Sequence, residues 1–224
     1  LLFFLSVTSL WSAPARHTLG VRFEPNRGQA PAGIDYVARG SGYTISLAPA
    51  YQLLTLQNPA TGDLSSIRME LAGAQPMSRL EPLGLLPGST HYLKGGAGAE
   101  LRDVPAYRQI RYNSVYPGID LVLYGHDRQL EYDFAVAPGA DPSRILLALS
   151  DANLTITQTG NLRIAKGAAA VEWRRPVAYQ EGPQGRESVD AKFRLQGKQV
   201  AFELGAYDRS RPLIIDPVLE YSTF

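Results

Sequence analysis

The sequence has no cysteine, only two methionines and two tryptophans, and no excess of one charge. The lack of cysteine excludes disulfides, thiolate metal sites, iron–sulfur clusters and cysteine nucleophiles. Lysine and arginine number 22 against 21 aspartate and glutamate residues, for a formal net charge of +1. A protein that binds nucleic acid usually carries a clear positive excess, so we expect no nucleic-acid partner.

Sequence motifs of catalysis and metal binding are also missing. The chain contains no G-x-S-x-G, no S-x-x-K and no phosphate-binding loop. Its three histidines, His17, His91 and His126, are far apart and lack the spacing of metal ligands. These absences predict a protein that is not an enzyme and that uses no metal ion or other cofactor.

The first residues form an apolar leader. Residues 1–11 carry no charge, and Ala13-Pro14-Ala15 has the small-x-small pattern of a secretory cleavage site. The stretch is shorter than the roughly 20 residues that span a bilayer. We therefore predict a partial signal peptide at 1–15, no transmembrane segment, and a secreted or cell-surface protein from residue 16 onward. The alternative is a buried first strand or helix.

The rest of the chain shows the period-2 pattern of half-buried strands. In residues 129–136, Leu130, Tyr132, Phe134 and Val136 alternate with polar residues. Residues 189–195 and 199–204 repeat the alternation around a short turn, which predicts a hairpin. No window indicates a convincing amphipathic helix.

About fifteen such segments are separated by turns rich in glycine and proline. This spacing predicts an all-β fold with little or no helix, built as an antiparallel β-sandwich. Two arrangements stay open: a single sandwich, or two sandwich-like lobes at 22–125 and 126–220. Loops are expected at 25–33, 82–88, 95–98, 138–142 and 182–185.

Tyrosines and two carboxylates provide the candidate ligand-binding residues. Tyr107, Tyr112 and Tyr124 lie close together in sequence among arginines, and such side chains stack on sugars or form protein interfaces. Glu131 and Asp133 are two residues apart on one strand, so both point to the same face. The alternative is that the tyrosines fill a sheet edge and that the carboxylates form an ordinary solvent face.

Four other aspartates are weaker candidates for functional residues. Asp120, Asp127 and Asp141 lie at predicted turns, where carboxylates sometimes bind calcium. Asp216 precedes Pro217 and is interpreted as part of a structural corner that leads into a final strand.

Several segments, in the same order along the chain, resemble those of a bacterial protein family. Near the start, Phe23-Glu-Pro-Asn-Arg-Gly-Gln29 is similar to the family's F-x-x-N-x-G-Q opening. The further matching segments are 36–40, 86–92, 104–107, 115–124, 130–134 with 138–142, 175–180, and 205–208 with 213–217. Together they resemble the N-terminal domain of unknown function that precedes SBBP-type β-propeller repeats in secreted and cell-surface proteins.

The resemblance implies a surface-exposed module without assigned catalytic residues. In the family, a segment like Tyr221-Ser-Thr-Phe224 leads into the first propeller repeat. We therefore expect residues 218–224 to lead toward a downstream propeller, which would be the partner within the same chain.

Three functions follow as hypotheses. The first is a non-enzymatic structural or interaction module of an exported bacterial surface protein, which caps or spaces the propeller or acts in adhesion. The second is a carbohydrate-binding or carbohydrate-active sandwich that uses the Tyr/Arg surface with Glu131 and Asp133. The third is an adhesin module stabilised by divalent ions at the turn aspartates. A surface glycan or another protein is the external partner in these hypotheses.

Overall fold

The computed structural model describes residues 21–40, 42–58, 60–75, 79–93, 100–126, 129–167 and 169–220. In these residues the chain forms nineteen β-strands and one 3₁₀ turn at Pro142–Arg144. This composition confirms the predicted all-β fold. No helix in the described segments is long and apolar enough to cross a membrane.

The strands of the first half include two long ones, β6 and β7. In chain order they are β1 (Phe23–Pro25), β2 (Tyr36–Gly40), β3 (Tyr43–Leu47), β4 (Tyr51–Gln57), β5 (Leu64–Leu71), β6 (Arg79–Tyr92), β7 (Leu101–Tyr116), β8 (Ile119–His126) and β9 (Gln129–Val136).

The strands of the second half are shorter. They are β10 (Leu147–Ala148), β11 (Asn153–Ile156), β12 (Leu162–Lys166), β13 (Ala169–Trp173), β14 (Val177–Gly182), β15 (Gly185–Val189), β16 (Ala191–Gln196), β17 (Gln199–Leu204), β18 (Leu213–Asp216) and β19 (Val218–Glu220).

Antiparallel ladders join these strands in one series. The order runs β16, β17, β10, β5, β4, β3, β2, β1, β7, β8, β9. Strand β9 then pairs with β19 along its first half and with β18 along its second half. Through β18 the ladder continues to β14 and β15, and through β19 to β13, β12 and β11. Strand β9 is therefore a branch point of the sheet, as is β7, which pairs with β1, β6 and β8.

Alternating side chains of these strands build the core. On β9, Leu130, Tyr132, Phe134 and Val136 are buried, as the period-2 pattern predicted. The predicted bounds of this strand and of β17 agree with the structure, and the hairpin of β16 and β17 is confirmed. Burial of a large apolar side chain contributes roughly 1.5–3 kcal/mol, so such faces drive the sheet to fold onto itself.

Two layers face each other across the core, which confirms the sandwich-like packing. Ile45 and Ile67 from β3 and β5 line the same small cavity as Tyr132 and Trp173 from β9 and β13. Its volume is about 20 Å³. The buried apolar residues form one cluster, whose members range from Val21 to Ile215 along the chain. The division into lobes at 22–125 and 126–220 stays a prediction.

Strand β6 is where the structure departs most from the sequence prediction. The loop expected at 82–88 lies inside this strand. Proline removes a ladder donor, but β6 pairs with β7 alone among the described strands, and an edge strand tolerates this loss. The register shifts between Leu85 and Ser89, so Pro87 and Gly88 occupy an irregular stretch of the strand.

Candidate functional site

The outward face around β9 gathers carboxylates and tyrosines from four strands. We call it the tyrosine–carboxylate face and define it as Tyr124, Glu131, Asp133, Tyr179 and Asp216. Glu131 and Asp133 alternate with the buried residues of β9, so they point away from the core. Tyr124 of β8 lies opposite Glu131.

Asp216 joins this face through the register of β18. Ile215 pairs with Phe134, so the next residue along β18 lies beside Asp133. On its other side, Asp216 pairs with Val177 of β14, and Tyr179 lies two residues further along that strand. Residues distant in sequence therefore share one sheet surface.

Two carboxyl groups of this face, those of Asp133 and Asp216, hold their protons more tightly than usual. Partial burial raises the pKa of Asp133 to about 6, although a hydrogen bond from the Tyr124 hydroxyl, 3.2 Å from Oδ1, acts in the opposite direction. Burial also raises the pKa of Asp216 to about 7, and the charges of Asp133 and Glu131 raise it further. The Oδ1 atom of Asp216 is buried without a hydrogen-bond partner among the described residues.

An arginine and an apolar side chain border these carboxyl groups. The guanidinium of Arg186 lies 4.1 Å from the centre of the Tyr179 ring, and its Nε donates to Glu181 at 3.1 Å. Its positive charge offsets part of the rise in the pKa of both Asp133 and Asp216. Val177 is 55% exposed next to Asp216. Charged, aromatic and apolar groups are thus available to a partner on one surface.

Two of the predicted ligand-binding tyrosines lie elsewhere. Tyr112 is fully buried, and its hydroxyl donates to the carbonyl of Ala48 at 3.1 Å. Tyr107 is half-buried on β7, opposite Phe23 of β1. The structure therefore brings together Tyr124, Glu131 and Asp133 but separates Tyr107 and Tyr112 from them.

The other titratable residues singled out in the sequence have local partners where they are described. His91 Nδ1 accepts a hydrogen bond from the backbone N–H of Asp103. Asp120 accepts from the N–H of Ser114, and Asp141 accepts from Ser143. His17 and Asp127 lie outside the described residues, as does the side chain of His126. Within the described part of the chain, no group of three acidic or histidine side chains has the geometry to hold a metal ion.

The F-x-x-N-x-G-Q segment organises a loop. The amide of Asn26 donates to the carbonyls of Ala30, Pro31 and Ile34, at 3.2, 3.0 and 2.8 Å. Its Oδ1 accepts from the N–H groups of Gly28 and Ala30. Five hydrogen bonds from one side chain close the loop between β1 and β2, so this motif has a structural role.

A buried carboxylate next to this loop connects three strands. Glu24 is only 9% exposed, and it accepts hydrogen bonds from the hydroxyls of Thr90 and Tyr92. Arg39 of β2 lies 3.9 Å from Glu24 and donates to the Tyr92 hydroxyl at 2.7 Å. Because these partners satisfy the carboxylate, the cluster fastens the edge strand β6 to β1 and β2.

Sequence reasoning missed Asp216, Tyr179 and Arg186 as members of the face. Burial alternates along β18 and places Asp216 on its outward side, although Leu213, Ile214 and Ile215 are all apolar. The sequence does not state, however, that β18 pairs with β9, and only this pairing places Asp216 beside Asp133.

The chain was also compared with known proteins. Residues 23–218 match a family described as a domain of unknown function, DUF7948. Neither the search of curated proteins nor that of solved structures gave a match.

Proposed function

The chain belongs to the DUF7948 family of domains of unknown function, and on the basis of its surface we propose that it is a non-enzymatic interaction module. In this proposal the module is part of an exported bacterial cell-surface protein, and the tyrosine–carboxylate face is its contact surface. The observation that carries the proposal is the placement of Asp133 and Asp216 side by side on the outside of the sheet.

Partial desolvation makes this face suited to binding. Both carboxyls have lost part of their hydration, as the raised pKa of each indicates, and Asp216 Oδ1 has no hydrogen-bond donor among the described residues. A partner that offers N–H or O–H donors would satisfy these oxygens at little further desolvation cost. The exposed Val177 would add apolar contact area.

The export part of the proposal rests on the sequence. The uncharged leader and the small-x-small pattern at Ala13–Ala15 support a signal peptide. The resemblance to domains that precede SBBP repeats supports a downstream propeller as the partner in the same chain. Sequencing the gene beyond the codon for Phe224 tests the proposed partner: propeller repeats would support it, and their absence would remove it.

The same geometry favours binding over catalysis. Glycosidase carboxyls flank the scissile bond from two sides. Asp133 and Asp216 instead lie on neighbouring strands of one sheet face. A ligand can rest on both groups but does not lie between them.

The interaction surface is tested by hydrogen exchange on the natural full-length protein. If the face contacts a partner domain, amides of β9 and β18 exchange more slowly in the full-length protein than in the isolated 16–224 chain. The double substitution Asp133→Asn and Val177→Asp should remove the difference. Equal exchange rates in both proteins would refute an intramolecular contact at this face.

Carbohydrate binding is the second candidate function. It is favoured by the aromatic rings of Tyr124 and Tyr179 next to carboxyl groups, because sugars stack on aromatic rings and their hydroxyls donate hydrogen bonds to carboxylates. A glycan array with the wild type and Tyr179→Ala tests it. Tyr51→Ala is the matched control, because Tyr51 also lies under an arginine, Arg68, but outside this face. Binding that Tyr179→Ala and Tyr51→Ala weaken equally, or no binding at all, would contradict this function.

A further inference from the structure

A second surface feature lies apart from the tyrosine–carboxylate face. The segment around the 3₁₀ turn, the end of β17 and the loop that follows it enclose an open groove of about 300 Å³. This volume is at the lower end of the range for small-molecule sites. We call it the Arg209 groove; the residues that matter for its chemistry are Asp141, Ser143, Phe202, Leu204, Tyr207 and Arg209.

One wall of the groove is apolar and contains a phenol. Phe202 and Leu204 lie on the same side of β17, and Tyr207 follows three residues later. The Tyr207 hydroxyl is buried and has no hydrogen-bond partner among the described residues. Because the hydroxyl is out of reach of solvent, Tyr207 contributes its ring to the apolar wall of the groove.

The lining of the groove also carries charge. The backbone carbonyl of Arg209 accepts from the N–H of Gly139 at 2.8 Å, which holds this arginine at the groove. Within the described chain its guanidinium has no carboxylate within 4.0 Å, although its charge, like that of Arg144, acts on Asp141. This arginine is therefore open to an anionic ligand group.

Asp141 is already engaged on one side. Its Oδ1 accepts from the backbone N–H of Ser143 at 3.0 Å and from the Ser143 hydroxyl at 2.7 Å. These bonds lower the pKa of Asp141, so the carboxylate stays ionised at neutral pH. Its other oxygen accepts no hydrogen bond from the described residues and would accept one from a ligand hydroxyl.

We propose that the Arg209 groove binds a uronic acid unit of an acidic glycan. The sugar carboxylate would accept from the Arg209 guanidinium, and a ring hydroxyl would donate to Asp141. A C–H face of the pyranose would pack on the apolar wall beside Tyr207. The combination of an anionic acceptor, several hydroxyl donors and an apolar face is characteristic of a uronic acid, whereas phosphate or sulfate offers no apolar face.

Calorimetric titration with a trimer of galacturonic acid at low ionic strength tests the proposal. We expect saturable binding that Arg209→Gln weakens about tenfold, the typical loss when a charge-assisted hydrogen bond is removed. Arg163→Gln is the matched control, since Arg163 is an exposed arginine on β12 that does not line the groove. It should leave the affinity unchanged. A neutral galactose trimer should bind at least tenfold more weakly.

Three results would overturn the proposal. They are no binding of the acidic trimer at millimolar concentration, equal binding of the neutral trimer, and full competition by sulfate at equal ionic strength. Tyr207→Phe gives a second readout, because it keeps the ring of the apolar wall and removes only the buried hydroxyl. Binding should persist in this variant, and a tenfold loss would contradict the assigned apolar contact. The double substitution Asp133→Asn and Val177→Asp should have no effect here, so failure at this groove is distinguishable from failure of the tyrosine–carboxylate face.

Discussion

At the residue scale, the position of Asp216 is unfavourable for a charged group. Its carboxyl lies beside Asp133, is partly buried, and has one oxygen without a donor among the described residues. Repulsion and desolvation both favour the protonated form. The face therefore changes charge near neutral pH, where an ordinary aspartate does not.

This situation predicts that Asp216→Asn stabilises the protein at pH 8. The pKa of Asp216 rises from 3.8 in the unfolded chain to about 7 in the folded one, so the folded state binds more protons between these values. Stability therefore falls as the pH rises from about 4 to about 7. The variant lacks this loss and should gain roughly 1 kcal/mol at pH 8, after allowance for solvent screening, but nothing at pH 4.

Urea denaturation at both pH values measures the effect. Glu203→Gln, at an exposed position on β17, is the control and should change stability little at either pH. A stability difference for Asp216→Asn that is the same at pH 4 and pH 8 would contradict the assigned proton linkage.

Asn26 is a second residue whose contribution is measurable. Removing its side chain by Asn26→Ala eliminates five hydrogen bonds and leaves carbonyls of the loop between β1 and β2 without donors. We expect a loss of about 2–3 kcal/mol in the free energy of unfolding. Asn58→Ala is the matched control, because Asn58 caps an exposed turn with only two bonds and should cost less than about 1 kcal/mol. Equal losses would refute the organising role of Asn26.

At the scale of elements, the turn between β7 and β8 depends on close packing. Gly118 has a φ of 72°, and a Cβ at this position would lie 2.8 Å from the Cβ of Ala140. The substitution Gly118→Ala should therefore cost about 2–4 kcal/mol, from backbone strain and overpacking together. Gly139 has a similar φ of 76° but open space around the Cβ position. Thermal unfolding measures the stability of both variants. Gly139→Ala should lose only the backbone contribution, about 1–2 kcal/mol.

Elements with local signals were predictable from the sequence. The strand at 129–136 and the hairpin of β16 and β17 follow from alternation over a few residues and a glycine-containing turn. Strand β6 was not predictable, because its prolines and glycines resemble a loop when the neighbouring strand β7 is unknown. Tertiary pairing with β7 and the cluster around Glu24 outweigh the low strand preference of these residues.

The candidate site was predictable only in part, for the same reason. Glu131 and Asp133 share a face because they share a strand, and this follows from spacing alone. Tyr112 lies in the core because its strand is covered on that side, which spacing does not reveal. Asp216 needs the register of two strands about eighty residues apart, and no local pattern specifies that register.

At the scale of the whole molecule, one apolar cluster joins the parts of the chain. Phe134 is fully buried on β9, and its ring packs against Phe202 of β17 with centroids 5.6 Å apart. Phe134→Ala should therefore cost about 3–5 kcal/mol. We expect a single unfolding transition that shifts as a whole, whether it is followed by Trp173 fluorescence or by far-ultraviolet circular dichroism. Two separate transitions, of which only one shifts, would favour independent lobes at 22–125 and 126–220.

The branched pairing of β9 has a consequence for how the chain acquires its structure during synthesis. Both strands that complete β9 on its open side, β18 and β19, come from the last residues of the domain. Strand β5 likewise pairs with β10, which comes much later in the chain and which itself pairs with β17. Pairings so distant in sequence form slowly. A nascent chain that lacks β18 and β19 therefore has an unpaired edge on β9, and we expect the sheet to be completed only after these last strands have emerged from the ribosome.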